Sequence, residues 1–127
     1  MNNFRQTPDI PDLDYTAGLS YIGGDVEFYH MILESFTRDA PGFIQKLVKI
    51  DESSLYDFAV NAHALKGIAA QIAAKDVSEQ AALLEGMAYD GNIDGIKERN
   101  QALAARTTAL VEQIRGFLAS FDAGSAN

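Results

Sequence analysis

The apolar positions in the middle of the chain recur at Leu55, Phe58, Ala62, Leu65, Ala69 and Ile72. The steps are three, four, three, four and three, which puts all six on one stripe of an α-helix. Ser54, with Asp57 three residues on, has the form of a variant capping box, so the spacing predicts a helix from there to about Ala74. Upstream, Asp14 is placed to cap a short helix through Ile22, with Leu19 and Ile22 turned inward and Gly23-Gly24 ending it. Asp25 then caps a long second helix whose predicted buried side is Phe28, Ile32, Phe36, Phe43, Leu47 and Ile50. Pro41 removes an N–H from that run, which implies either a kink or two abutting helices. Asp76 and Glu79 repeat the capping device ahead of Val77, Ala81, Leu84 and Ala88, and Gly91 suits the C-terminal cap. Asn92 opens the last helix, where Ile96, Asn100, Leu103, Thr107, Leu110, Ile114, Phe117 and Phe121 alternate four and three over about 44 Å.

No stretch sustains a period of two, so no sheet is expected. Short links between long amphipathic helices specify an all-α fold, an antiparallel up-down four-helix bundle with a short N-terminal covering helix. Residues 1–12, with Pro8 and Pro11, read as a flexible lead-in, 13–121 as the bundle and 122–127 as a disordered tail. Asn100 and Thr107 interrupt the last stripe; either they set register inside the core, or that end of the helix projects beyond the bundle.

Composition narrows the function. At 127 residues, 47% apolar and 22% charged, the chain has the make-up of one soluble domain with a single core. It has no cysteine, which excludes disulfide and thiolate chemistry. No run approaches the apolar length of a membrane span and Met1 to Gln6 lack a signal-peptide core, so the expected location is cytoplasmic. Ten basic against eighteen acidic residues give a net charge of −8, which argues against nucleic acid or an anionic membrane as partner. The stripes suit a closed single-chain bundle, hence a monomer.

His63 is one residue past the stripe position Ala62, so the helical period turns it about 100° from the core, toward the boundary or solvent. Lys66 and Gly67 follow at three and four residues, the spacing of helix-surface neighbours. Glycine inside a helix costs about 1 kcal/mol against alanine. Gly67 therefore marks either a close helix–helix contact or a place where another molecule must reach the imidazole. Ala59, Ala64 and Ala70 are small as well. His30 falls off the predicted stripe of its own helix and reads as solvated. Two histidines without other ligands do not make a zinc site, no strand framework suits a Ser–His–Asp hydrolase, and no glycine box cradles ATP.

The run His63-Ala-Leu65-Lys66-Gly67 resembles the H-x-L-K-G motif of histidine-containing phosphotransfer (HPt) domains. The likeness extends upstream through Ala17-Gly18-Leu19, Gly23-Gly24-Asp25, Phe28-Tyr29, Leu33, Phe36 and Ala40-Pro41, and downstream to Leu84-Glu85, roughly residues 13–118. The resemblance implies that His63 is the phosphoacceptor and that Lys66 stabilises the phosphoryl charge. The partners would be response-regulator receiver domains and a hybrid sensor histidine kinase. It implies no cofactor on this chain, since the receiver supplies the Mg²⁺ and the acidic pocket. The docking patch would comprise Ala59, Val60, Gly67, Ala70 and Gln71. With a reference pKa of about 6.5, a histidine ring is mostly neutral at cellular pH, as a nucleophile must be. Two positions depart from the family pattern: Ile68 where serine or alanine is usual, and Ala73 where glycine is frequent. The alternative function is a non-catalytic helical adaptor that binds a partner through the His63 face. Without the motif, Lys66 is an ordinary solvated lysine and Gln71 an exposed glutamine.

Overall fold

The structure is a computed structural model that describes residues 7–125, with side chains through Asp122. Its elements are α1 (Tyr15–Tyr21), α2 (Val26–Leu47), a single 3-10 turn (Glu52–Ser54), α3 (Leu55–Gln71), α4 (Lys75–Tyr89) and α5 (Ile93–Ser125). Among the described residues there is no strand. α2 packs on α3, α3 on α4, α4 on α5 and α5 back on α2, while α1 lies against α2. One core of buried leucine, isoleucine, alanine, valine and aromatic side chains runs through all five helices. Among the described residues, no helix is long and apolar enough to cross a membrane.

Three of the predicted N-terminal caps form. Asp14 accepts from the Ala17 N–H and Asp25 from the Phe28 N–H, each at 3.0 Å, and Asn92 accepts from the Gly95 N–H at 2.9 Å. The Ser54–Asp57 capping box does not. Asp51 takes the Ser53 N–H at 2.9 Å, the Ser54 hydroxyl donates back to the Asp51 carbonyl, and the 3-10 turn they stabilise feeds directly into α3. The Asp76–Glu79 box is absent too. α4 begins at Lys75, so Asp76 is already inside the helix, where it pairs with Arg106 at 3.1 Å.

Helices α3 and α4 end in the same way. Ala74 N–H bonds to Ala69 O and Ala73 N–H to Ala70 O; Asn92 N–H bonds to Met87 O and Gly91 N–H to Ala88 O. Both patterns are the Schellman closure, which requires a left-handed residue just after the cap. In α4 that residue is Gly91 (φ +70°), but in α3 it is Ala73 (φ +65°), the substitution noted against the family pattern. α3 therefore stops at Gln71 instead of running to Ala74.

The buried side of α2 is rotated from the expected one. Tyr29, Leu33, Phe36, Ala40, Ile44 and Leu47 are buried, Ile32 and Phe43 are only partly so, and Phe28 is 48% exposed. Tyr29 takes the inward place because its phenol reaches across the core to donate to the Ile72 carbonyl at 2.8 Å. Burial holds that phenol well above the usual tyrosine range, so it stays a donor. Gly18 packs so tightly on the Tyr29 ring that a Cβ there would collide with it. Pro41 lies inside an unbroken α2 and does not divide it in two. The Thr37 carbonyl, which the missing Pro41 N–H would have served, accepts instead from Arg115 at 2.9 Å.

At the C-terminal end of the same helix, the buried Asn100 amide donates to the Leu47 carbonyl at 3.1 Å. Buried Thr107 donates to Leu103 O at 2.7 Å, so both polar positions belong to the core. Helix α5 is 33 residues long, about 50 Å. Asp122 to Ser125 continue it where a disordered tail was expected; Ala126 and Asn127 lie outside the described residues. At the start of the chain, residues 7–12 are irregular but Ile10 is buried, and Asp12 receives two bonds from Arg106 at 2.8 and 2.7 Å. Residues 1–6 lie outside the description.

Candidate functional site

His63 lies at the middle of α3, its side chain 63% exposed. Opposite it on α4 stands Glu85, only 13% exposed, with one carboxylate oxygen 3.0 Å from His63 Nδ1 and the other accepting from Lys66 Nζ at 2.9 Å. The Ser78 hydroxyl donates to the Lys66 carbonyl at 2.9 Å and ties the two helices together near this contact. The Lys66 hydrogen bond foremost, and the His63 one with it, hold the Glu85 carboxyl below its usual range against the opposing effect of burial. An ionised carboxylate can only accept, so Nδ1 must carry the proton on the neutral ring. The lone pair is thereby left on Nε2, the nitrogen directed away from Glu85. The arrangement favours one tautomer on a ring that is mostly open to solvent.

Lys66, three residues on from His63, bonds to the second oxygen of the same carboxylate. It spans to Glu85, so its charge reaches His63 through the shared carboxylate. Gly67 is exposed, and a Cβ built there would meet nothing within 4 Å. No helix packs on it, so a close helix–helix contact is not what this glycine serves. Gly86 on α4 is equally open.

Of the five expected docking residues, Val60, Gly67, Ala70 and Gln71 are exposed along the His63 side of α3. Ala59 is a correction. It is fully buried, since it follows Leu55 by four residues and precedes Ala62 by three, which widens the inward stripe to include it. Ile68 is partly buried against the core and so takes up its bulk without standing over the site.

Tyr56, Leu83, Tyr89 and the role of Glu85 escaped the sequence reading. Tyr56, Val60, His63, Gly67 and Ala70 form an exposed column with steps of four, three, four and three, and Leu83 and Tyr89 are exposed on α4. The same period count, applied to the outward face, would have found the column. Glu85 follows the core position Leu84 just as His63 follows Ala62, which marks it as a boundary residue. Its partner depends on the register of α3 against α4, which no local pattern carries.

His30 is also a correction. It is half-buried, with Nε2 2.7 Å from the Tyr15 hydroxyl and its ring edge-on to Tyr15, Phe117 and Phe121. Burial pushes its pKa down, opposed by Asp122. The misplaced stripe on α2 is what made it look solvated. Among the described residues, no three His, Cys, Asp or Glu side chains gather where they could hold a metal ion. No family model, no curated protein and no solved structure matches the chain.

Proposed function

We propose that this protein is a phosphorelay intermediate of the HPt kind: His63 accepts a phosphoryl group from the aspartyl phosphate of one receiver domain and delivers it to the aspartate of another. With that reading goes the architecture, an antiparallel four-helix bundle of α2 to α5 with α1 covering one end. The observation that carries it is the His63–Glu85 contact, which engages Nδ1 on a side chain 63% exposed and so makes Nε2 the nitrogen available for attack.

In the forward step the Nε2 lone pair attacks phosphorus, the P–O bond to the receiver's aspartate breaks, and that carboxylate is released. The ring keeps its Nδ1 proton and gains positive character, which the Glu85 carboxylate offsets across 3.0 Å. The return step runs the same bonds backward. Phosphoryl transfer depends mainly on positioning and charge, so a held imidazole suffices while the receiver brings its Mg²⁺ and acidic pocket. Lys66 keeps Glu85 ionised and in place, and its charge lies close enough to favour the phosphorylated state. The open glycines, Val60, Ala70 and Gln71 give a receiver room to approach, with Tyr56, Leu83 and Tyr89 as apolar contacts at the margins. The reading suits a stand-alone protein and a domain of a hybrid sensor kinase alike.

The test is incubation with a panel of phosphorylated receiver domains. Wild type should acquire an acid-labile, base-stable label; His63→Gln should acquire none, with unchanged helix content by circular dichroism. Receivers that bind the His63 face without ever labelling it would replace this function with that of an adaptor.

A further inference from the structure

On a chain of net charge −8, most described basic side chains are engaged by the chain itself. Arg38 pairs with Glu34, Lys66 with Glu85, Lys75 with Glu79, Arg99 with Glu98 and Arg106 with Asp12 and Asp76, while Arg115 serves the Thr37 carbonyl. Lys46, Lys49 and Lys97 make no ion pair among the described residues. Two of these three, Lys46 and Lys49, line one surface hollow of about 560 Å³ between the end of α2 and the start of α3. Phe58, Val60 and Asn61 line it as well, as does Asp57, which is beyond ion-pair reach of either lysine. Val60 is 47% exposed and belongs also to the outward column of α3, three residues before His63. The hollow and the phosphoacceptor face therefore share a wall.

A cation in the last turn of a helix is favoured by the helix dipole, which accounts for Lys46. It does not account for Lys49, which lies past the C-cap Val48. We infer that this hollow receives an acidic segment of the receiver that docks over His63, with Lys46 and Lys49 facing its carboxylates and Phe58 and Val60 its apolar flank. The inference rests on the phosphotransfer reading and deepens it. A receiver holds its transferable group in an acidic pocket, and a carrier of charge −8 repels such a partner at long range. A local positive wall next to the nucleophile counters that repulsion and orients the approach.

The experiment measures transfer from a phosphorylated receiver domain as its concentration is raised, at low and high salt. It compares wild type with Lys46→Glu/Lys49→Glu and Lys46→Gln/Lys49→Gln. Phosphoramidate, a small donor that needs no docking, serves as the control. The charge reversal should raise the half-saturating receiver concentration about tenfold, and the neutral pair less, with the maximal rate and phosphoramidate labelling retained. High salt should narrow the gap. Half-saturation within about twofold of wild type, or an equal loss with phosphoramidate, overturns the assignment. So does a wild-type dimer, seen by sedimentation, that the charge reversal dissociates. If no receiver labels wild type, the phosphotransfer reading itself fails; if wild type is labelled and the reversal matches it, only the lysine assignment does.

Discussion

A single carboxylate decides which nitrogen of His63 is available. Glu85→Gln keeps a hydrogen-bond acceptor near Nδ1 but removes the charge that offsets the phosphorylated ring, and it loosens Lys66. Transfer should slow by about tenfold with helix content unchanged, measured by single-turnover kinetics. Lys66→Ala should slow transfer without abolishing it. At Gly67 the open space separates two effects. Gly67→Ala should stabilise the fold by up to about 1 kcal/mol in urea titration, whereas Gly67→Leu should block labelling by a receiver and leave the fold intact. Ala73 stands in a left-handed conformation, and Ala73→Gly should raise stability by about 1 kcal/mol. His63, Lys66 and Gly67 were legible because their spacing is local. Glu85 was not, because its role requires knowing which helix lies opposite.

Helices were read well where capping is local and less well where a distant group competes. Asp14, Asp25 and Asn92 cap as their sequences suggest. Asp76 was diverted by Arg106, thirty residues away. On α2 the leucine, isoleucine and phenylalanine positions permit two adjacent stripes; the Tyr29 hydrogen bond to Ile72 selects between them, and hydrophobicity alone ranks a tyrosine too low to see it. Pro41 shows the same dependence on partners. Arg115→Met should leave the Thr37 carbonyl without its donor and cost about 1 kcal/mol. Adding Pro41→Ala restores the missing N–H, so the double variant should recover that loss in a thermodynamic cycle.

At the scale of the molecule, His30 links three helices, with the Tyr15 hydroxyl from α1, its own neighbours Glu27 and Glu34 on α2, and Phe117, Phe121 and Asp122 from α5 around it. Burial lowers its pKa in the fold. The unfolded chain therefore binds the proton more readily, and the stability His30 supplies is complete above about pH 6.5 and fades as pH falls toward the lowered value. Melting temperature should decline from about pH 7 to about pH 5 in wild type and decline less in His30→Phe. Carboxylates such as Glu85 act only at lower pH, which separates the two windows.

The proton partner of His63 rides on a neighbouring helix and not on its own. Whatever leans on α4 thus retunes the imidazole without touching it: a shift of an ångström between the two rods would slacken the tether and let the ring swap tautomers. On the proposed function, damage far from His63 would then show up as altered reactivity instead of unfolding, and a bound protein pressing on that flank would dim or brighten transfer by mechanical means alone.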